Sequence, residues 1–193
     1  LYLLWDLGLK VGHATRAVDD CIRLAKGDLT IRTALLEARY IWGDQALFGE
    51  LKARFQKDVV AGTAADFLEA KLAERDERHQ RMGDSRYLVE PNIKDGKGGL
   101  RDLQTLYWIG KYIHRVKSAA ELVDVGLLTA TEYRTFRRAE NFLLAVRCHL
   151  HMITRRAEDR LTFDLPREVT ERMPFADRPG KRAVARFMQY YFL

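Results

Sequence analysis

The sequence predicts a mainly α-helical fold, in which a bundle-like helical domain follows a short β-containing lead-in. Apolar residues recur at three- and four-residue spacing through most of the 193 residues, which is the pattern of helices that bury one face. Capping residues and glycine stops divide this pattern into separate helices. Only the start differs: residues 1–9 favour a buried strand or helix end, and residues 9–16 favour a short strand that ends in a polar turn.

Nine helices are predicted, over about residues 19–27, 28–43, 44–58, 63–81, 100–113, 118–126, 129–156, 166–173 and 183–191, with a break over 59–62. Asp28 and Asp44 are predicted N-caps. Capping boxes are predicted at Ser118–Glu121 and Thr129–Glu132. The helix over 63–81 ends in E-R-D-E-R-H-Q-R, which is polar on every side. That composition is typical of a solvated helix, and a basic surface that faces a ligand or partner is the alternative.

Composition limits the classes of function. Hydrophobic residues make up 47% and charged residues 31%, as in soluble globular proteins. No apolar run approaches the roughly 18 residues that span a bilayer, so no membrane partner is expected. The net charge of +6 favours an anionic partner such as a nucleotide or an acidic protein surface. Because the cations are scattered among acids, a nucleic-acid binder is disfavoured.

The two cysteines, Cys21 and Cys148, lie far apart in helical patterns. We expect buried free thiols in a reducing cytosol, and therefore a cytoplasmic protein. The sequence has no initiator Met, which indicates that it begins within a domain.

The most unusual stretch is Glu90–Gln104, E-P-N-I-K-D-G-K-G-G-L-R-D-L-Q. Three glycines in four positions permit positive φ and the close approach of another backbone or a ligand. The helix that follows is expected to offer free N–H groups and the positive end of its dipole, an arrangement that suits a phosphate. A tight structural turn is the alternative, and composition alone favours that reading.

Other candidate chemistry is sparse. His149 and His151 are two residues apart, so on a helix they point about 200° apart and do not share a metal ion. No G-x-S-x-G or Walker A pattern occurs. Asp19 and Asp20 suit a helix start better than a metal site. No metal site is predicted.

Several strings together carry a resemblance. The string E-P-N-I-K-D-G-K-G-G-L-R-D-L-Q-T-L-Y-W-I resembles the hallmark of the bacterial protein-PII uridylyltransferase/uridylyl-removing family. So do W-D-L-G-L-K-V-G-H-A-T-R (5–16), D-L-T-I-R-T-A-L-L-E-A-R (28–39) with Gly43-Asp44, E-R-H-Q-R (77–81) and R-A-E-D-R-L-T-F-D (156–164). The segment K-x-G-x-G-G-L-R-D is also similar to the glutamine-synthetase adenylyltransferase family.

The resemblance implies a nucleotidyltransferase of the polymerase-β type that serves nitrogen regulation, moving UMP from UTP to a tyrosine of PII with Mg²⁺. Residues 1–62 would then be the C-terminal part of the nucleotidyltransferase domain, and residues 63–193 the helical domain associated with it. The Gly-Ser and Asp-x-Asp elements that bind triphosphate and metal in that fold do not occur in this sequence. An HD domain for UMP removal would lie elsewhere, and Gly12-His13 stands where adenylyltransferases place a third acid. This segment alone is therefore expected to be inactive.

The resemblance also suggests roles for particular residues. The groups predicted to hold phosphates or pyrophosphate are Lys94, Lys97, Arg101 and the amides of Gly98 and Gly99. Arg16 and Arg39 are predicted to face the nucleotide cleft, although an ion pair with Glu37 or an Asp is the alternative for Arg39. Asp102 is predicted to orient Arg101 or to cap its helix. A non-catalytic helical module that docks PII or bridges domains is the competing function.

Overall fold

The computed structural model describes residues 2–85, 87–162 and 164–192. The helices are α1 Tyr2–Asp6, α2 Val18–Gly27, α3 Leu29–Leu36, α4 Gln45–Phe55, a π-helix Gln56–Val60, α5 Ala64–Arg81, α6 Leu100–His114, α7 Glu121–Asp124, α8 Ala130–Thr154, α9 Leu165–Arg172 and α10 Ala183–Phe192. The chain divides into two compact units, Leu1–Ala64 and Ala65–Leu193. The mainly helical prediction is confirmed.

The β-containing lead-in is not found. Helix α1 occupies residues 2–6, and residues 9–17 have no regular secondary structure. The described parts of the chain hold isolated bridges but no strand. A strand is stable when a neighbour accepts its ladder of hydrogen bonds, and no described residue pairs in this way with residues 9–16.

In the first unit, helix α2 packs against α3 and α4. The core of this unit consists of Ile22, Ala25, Leu36, Phe55, Val59 and Val60. Asp28 and Asp44 cap α3 and α4 as predicted, since their side chains accept hydrogen bonds from N–H groups in the first turn of each helix. The predicted break near residue 59 is instead a π-helix that buries both valines.

In the second unit, α8 packs against α6, α7 and α9, and α10 packs against α9. The buried cluster consists of Ile93, Leu100, Leu143, Val146, Leu150, Leu161, Val169 and Phe187. Phe67 of α5 and Tyr112 of α6 stack with ring centroids 3.8 Å apart. The capping box of Thr129 and Glu132 is present and opens α8, the 25-residue helix. At the other predicted box the side chains of Ser118 and Glu121 do bond, but α7 begins only at Glu121.

Two expectations about exposure are wrong. The end of α5 is not a fully solvated helix, because Arg78 and His79 are only 6% and 7% exposed. Cys148 is exposed and Cys21 is half-buried, although both thiols are free. Among the described helices, none combines the length and the apolar character needed to cross a membrane.

Candidate functional site

The Gly-rich loop, defined here as residues 91–99, leads directly into α6 and is held by the segment that follows α8. Asn92 forms an isolated antiparallel bridge with Arg160. The N–H of Ile93 donates to the carbonyl of Asp159 at 2.8 Å. Ile93 itself is fully buried in the core of the second unit. The loop is therefore anchored both by backbone bonds and by an apolar side chain.

The glycines of the loop are required by its own path. Gly98 has a φ of +80°, in the left-handed region that favours glycine. A Cβ on Gly96 would lie 2.5 Å from the carbonyl oxygen of Asn92, and a Cβ on Gly99 would lie 2.6 Å from that of Ile93. A side chain at Gly96 or Gly99 would therefore collide with backbone that cannot move without unfolding the turn. These contacts support the structural reading of the glycines.

The N–H groups that were expected to be free are bonded within the chain. The Asn92 side-chain oxygen accepts from the N–H groups of Lys94 and Asp95 at 3.0 and 2.7 Å. The first N–H groups of α6 donate to loop carbonyls: Leu100 to Ile93 at 2.9 Å, Arg101 to Lys94 at 2.9 Å and Asp102 to Gly99 at 3.0 Å. The expectation of free donors at the start of this helix is therefore wrong, since the loop itself supplies the acceptors.

The amides of Gly98 and Gly99 are also occupied. The Gly98 N–H donates to Asp102 Oδ2 at 2.7 Å, and the Gly99 N–H donates to the carbonyl of Gly96 at 2.9 Å. In this conformation, a phosphate at the loop would depend on side chains rather than on these two amides.

Asp102 is the centre of a buried polar cluster that we call the Asp102 cluster, formed with Arg78, His79 and the Gly98 amide. Arg78 donates to Oδ1 at 2.5 Å, and the His79 ring Nε2 lies 2.9 Å from both carboxylate oxygens. The side chains of Arg78 and His79 are 7% and 9% exposed. Asp102 thus joins the end of α5 to the loop and to α6. It does not orient Arg101, which pairs elsewhere.

A second carboxylate, Asp159, holds the other side of the loop. Arg147 Nε donates to Oδ1 at 2.7 Å, and His151 Nε2 lies 3.1 Å from the same oxygen. Lys94 Nζ lies 4.0 Å from Oδ2. Burial alone would raise the pKa of Asp159, but the hydrogen bonds from Arg147 and His151 and the charges of Arg147 and Lys94 outweigh it and lower the pKa. The carboxylate is therefore held in its ionised form.

The structure brings two of the predicted phosphate ligands together and places the third apart. Lys94 Nζ and Arg101 Nε lie 3.8 and 3.7 Å from the two oxygens of Asp95. Arg101 also donates to Gln104 at 3.0 Å. Lys97 instead lies 3.1 Å from Asp84, at the wall of a cavity.

That cavity has a volume of about 1060 Å³ and lies within the second unit. Its wall includes Lys97 and three members of the Asp102 cluster, His79, Gly98 and Asp102. Enclosures of roughly 300–1,000 Å³ are typical of ligand pockets, so the space is large enough for a small molecule.

Comparison with known proteins shows where the chain belongs. Residues 66–193 match the family model described as GlnD PII-uridylyltransferase. Proteins named bifunctional uridylyltransferase/uridylyl-removing enzyme from Novosphingobium aromaticivorans, Erythrobacter litoralis and Rhodopseudomonas palustris are 73%, 68% and 63% identical over all 193 residues. The chain belongs to the PII-uridylyltransferase family. It spans 21% of the length of each of these three relatives, and no solved structure matches it.

Two other residues that were predicted to bind the nucleotide, Arg16 and Arg39, lie in the first unit. Arg16 is exposed and precedes α2, and Arg39 is exposed and follows α3. Their roles stay predictions. Among residues 2–85, 87–162 and 164–192, no group of three or more His, Cys, Asp or Glu is placed to hold a metal ion.

The sequence analysis missed most of the side chains that surround the two carboxylates, Asp102 and Asp159. Arg147 and His151 are four residues apart, so they share a face of α8, and that spacing was a usable signal. His151 was considered only as a metal ligand, whereas it binds Asp159. Arg78 and His79 gave no such signal, because their partner Asp102 is more than 20 residues away along the chain.

Proposed function

We propose that this chain is the helical part of an enzyme that transfers UMP from UTP to a tyrosine of PII and also removes it. The observation that carries the proposal is the 73% identity, over the whole chain, to a protein named bifunctional uridylyltransferase/uridylyl-removing enzyme. Nitrogen regulation in the cytoplasm, with nucleotide and PII as partners and no nucleic acid, belongs to the same proposal.

Within that enzyme, Lys94 and Arg101 would bind the phosphates of UTP or the leaving pyrophosphate. Phosphoryl-type transfer depends on positive groups around the phosphates more than on covalent help from the protein. The two cations share Asp95 at 3.7–3.8 Å, beyond hydrogen-bond distance, and their side chains are 32% and 29% exposed. Such loosely paired and partly exposed cations can exchange the carboxylate for a phosphate, which offers more oxygen acceptors.

Rigid placement of these cations supports the proposal. Arg101 lies in the first turn of α6, and its guanidinium carbon is 5.6 Å from the centre of the Trp108 ring. The bridge at Asn92 and the Asp102 cluster hold the loop on either side of Lys94. A positively charged group that is fixed before the substrate arrives costs less ordering entropy on binding.

The family resemblance also implies Mg²⁺. The described residues offer no cluster of ligands that fits it, so no step is assigned to a metal ion held by this chain. The proposed contribution of the chain is to bind and orient phosphate groups.

The test reverses the two charges, as Lys94→Glu and Arg101→Glu, in the complete enzyme that carries this chain. We expect the KM for UTP to rise about tenfold or more in each, because a hydrogen bond to a charged group contributes about 1.5–3 kcal/mol. Lys117→Glu, an exposed charge reversal in the same unit, is the matched control. Uridylyl removal, which uses no UTP, should be unchanged and so reports intact folding.

The same variants distinguish the competing function, a helical module that docks PII or bridges domains. The bonded loop amides favour that reading, since they make the loop a structural turn. Under it, the KM for PII rises while the KM for UTP stays constant. If UTP affinity and turnover are unchanged in both variants, the phosphate role is wrong.

A further inference from the structure

The cavity of about 1060 Å³ lies among α5, α6, α8 and α10, and its chemistry is not used by the proposed transfer. One part of its wall is charged, one part is aromatic and one part is aliphatic. Each part restricts what the cavity can bind.

The charged part includes one cation, Arg138, that has no carboxylate partner among the described residues. Three carboxylates line the cavity, and each is already paired: Asp76 with Arg75 at 2.8 Å, Asp84 with Lys97 at 3.1 Å, and Asp102 with Arg78 and His79. Arg138 also lines the cavity, is exposed, and forms no ion pair with any described residue. Its guanidinium is therefore available to an anion.

The aromatic part adjoins this cation. Phe142 is one helical turn after Arg138 on α8, so both side chains lie on the same face. The Tyr190 ring of α10 lies 4.8 Å from the Phe142 ring, edge to face. Tyr191 also lines the cavity, and burial raises its pKa to about 12, so its hydroxyl stays neutral and can donate or accept a hydrogen bond.

The aliphatic part completes the enclosure. Leu72 of α5, Leu106 and Ile109 of α6 and Leu143 of α8 line it. An apolar surface with a few placed polar groups is the usual form of a site for a small organic molecule. A free inorganic ion would leave this apolar surface in contact with water.

We propose that this cavity binds an anion that carries a planar ring, of the class of a nucleoside monophosphate, with Arg138 on the phosphate and Tyr190 against the ring. A guanidinium binds phosphate through two parallel hydrogen bonds, and an aromatic side chain can stack on any nucleobase. The choice of UMP as the ligand rests on the proposed function, since the uridylyl group is what a uridylyl-removing enzyme releases. The site is distinct from Lys94 and Arg101, which pair with Asp95 rather than with residues of the cavity wall.

The test counts bound UMP per chain by equilibrium dialysis of the complete enzyme that carries this chain, in the absence of UTP and PII. We expect Arg138→Gln to abolish one UMP site or to raise its Kd roughly tenfold or more, as the loss of a charged hydrogen bond implies. Arg134→Gln, one turn earlier on the same helix and outside the cavity wall, should bind as the unaltered enzyme does. Tyr190→Leu should weaken UMP binding but leave the weak binding of inorganic phosphate unchanged.

Uridine and inorganic phosphate serve as separate probes, and each should compete more weakly than UMP. The proposal is overturned if Arg138→Gln retains the full number of sites with unchanged Kd. It is also overturned if inorganic phosphate competes as well as UMP does, because the ring would then contribute nothing. Since no turnover is measured, a failure here leaves the UTP experiment on Lys94 and Arg101 unaffected.

Discussion

Replacement of Asp102 by Asn tests whether the Asp102 cluster stabilises the helical unit. The substitution keeps the size of the side chain but removes its charge. Three donors then face an amide: Arg78, the ring of His79 and the N–H of Gly98. Arg78 is the donor whose loss of an ionised acceptor costs most, because its side chain is 7% exposed and its Nε already has no hydrogen-bond partner among the described residues.

The expected loss follows from burial. Breaking a buried ion pair by removing one partner costs about 3–5 kcal/mol, and the 21% exposure of Asp102 favours the lower end, about 3 kcal/mol. With a urea m-value of about 2 kcal/mol/M, the midpoint of unfolding should fall by about 1.5 M. Adding Arg78→Met to Asp102→Asn should recover part of this loss, because no buried charge is then left unpaired.

The assay needs a signal from the second unit alone. Trp108 lies on α6, whereas the other two tryptophans, Trp5 and Trp42, lie in the first unit and are 39% and 91% exposed. When both of these are changed to Phe in the 193-residue chain, the fluorescence of Trp108 during urea titration reports only the unfolding of the unit that contains Asp102.

Asp76→Asn is the matched control. It removes a carboxylate from the same cavity wall, but the Arg75–Asp76 pair is 38% and 56% exposed, so a loss below about 1 kcal/mol is expected. If Asp102→Asn lowers the midpoint no further than Asp76→Asn does, the argument from burial is refuted.

Two further predictions use the same fluorescence assay. Gly99→Ala should cost about 3 kcal/mol, the upper end for overpacking, because its Cβ would lie 2.6 Å from the carbonyl oxygen of Ile93 and 2.9 Å from those of Gly96 and Lys94. Gly98→Ala meets open space and should cost only the left-handed strain of about 1–2 kcal/mol; a loss for Gly99→Ala that does not exceed the loss for Gly98→Ala would show that the close approach is not the cause. For Asp159→Asn, the folded pKa of the native carboxyl lies below its ordinary 3.8, so the stability that it contributes is fully present above that value and is lost as pH falls through the folded pKa. The native protein should therefore exceed Asp159→Asn in free energy of unfolding most at neutral pH, and this excess should disappear at acid pH below 3.8. An excess that is constant with pH would show that the ionised carboxylate is not the cause.

Most helices could be predicted because their signals are local. The N-cap at Asp44 and the capping box of Thr129 and Glu132 act within one turn, so the residues that decide the helix start are neighbours in sequence. The β-containing lead-in could not be judged in this way, because a strand depends on partners that are remote in sequence.

The Gly-rich loop shows the same division at the candidate site. Its glycines signalled a special backbone path, and the structure contains one, with Gly98 at positive φ. The acceptors of the loop's N–H groups could not be predicted from the sequence. One acceptor is the side chain of Asp102, and others are backbone carbonyls that come within reach only after the turn forms. The phosphate reading and the structural reading therefore looked alike until those acceptors were located.

The sequence by itself determined that the protein is mainly helical, where its capped helices begin and that it resembles PII uridylyltransferases, since all of these depend on the order of residues along the chain. Only the tertiary structure decided that Arg78 and His79 bind Asp102, that Arg147 and His151 bind Asp159, and that Lys97 turns away from Lys94 and Arg101. The physical reason is that a buried charge needs a compensating partner, and the packing of helices, not their spacing in sequence, determines which partner lies within reach.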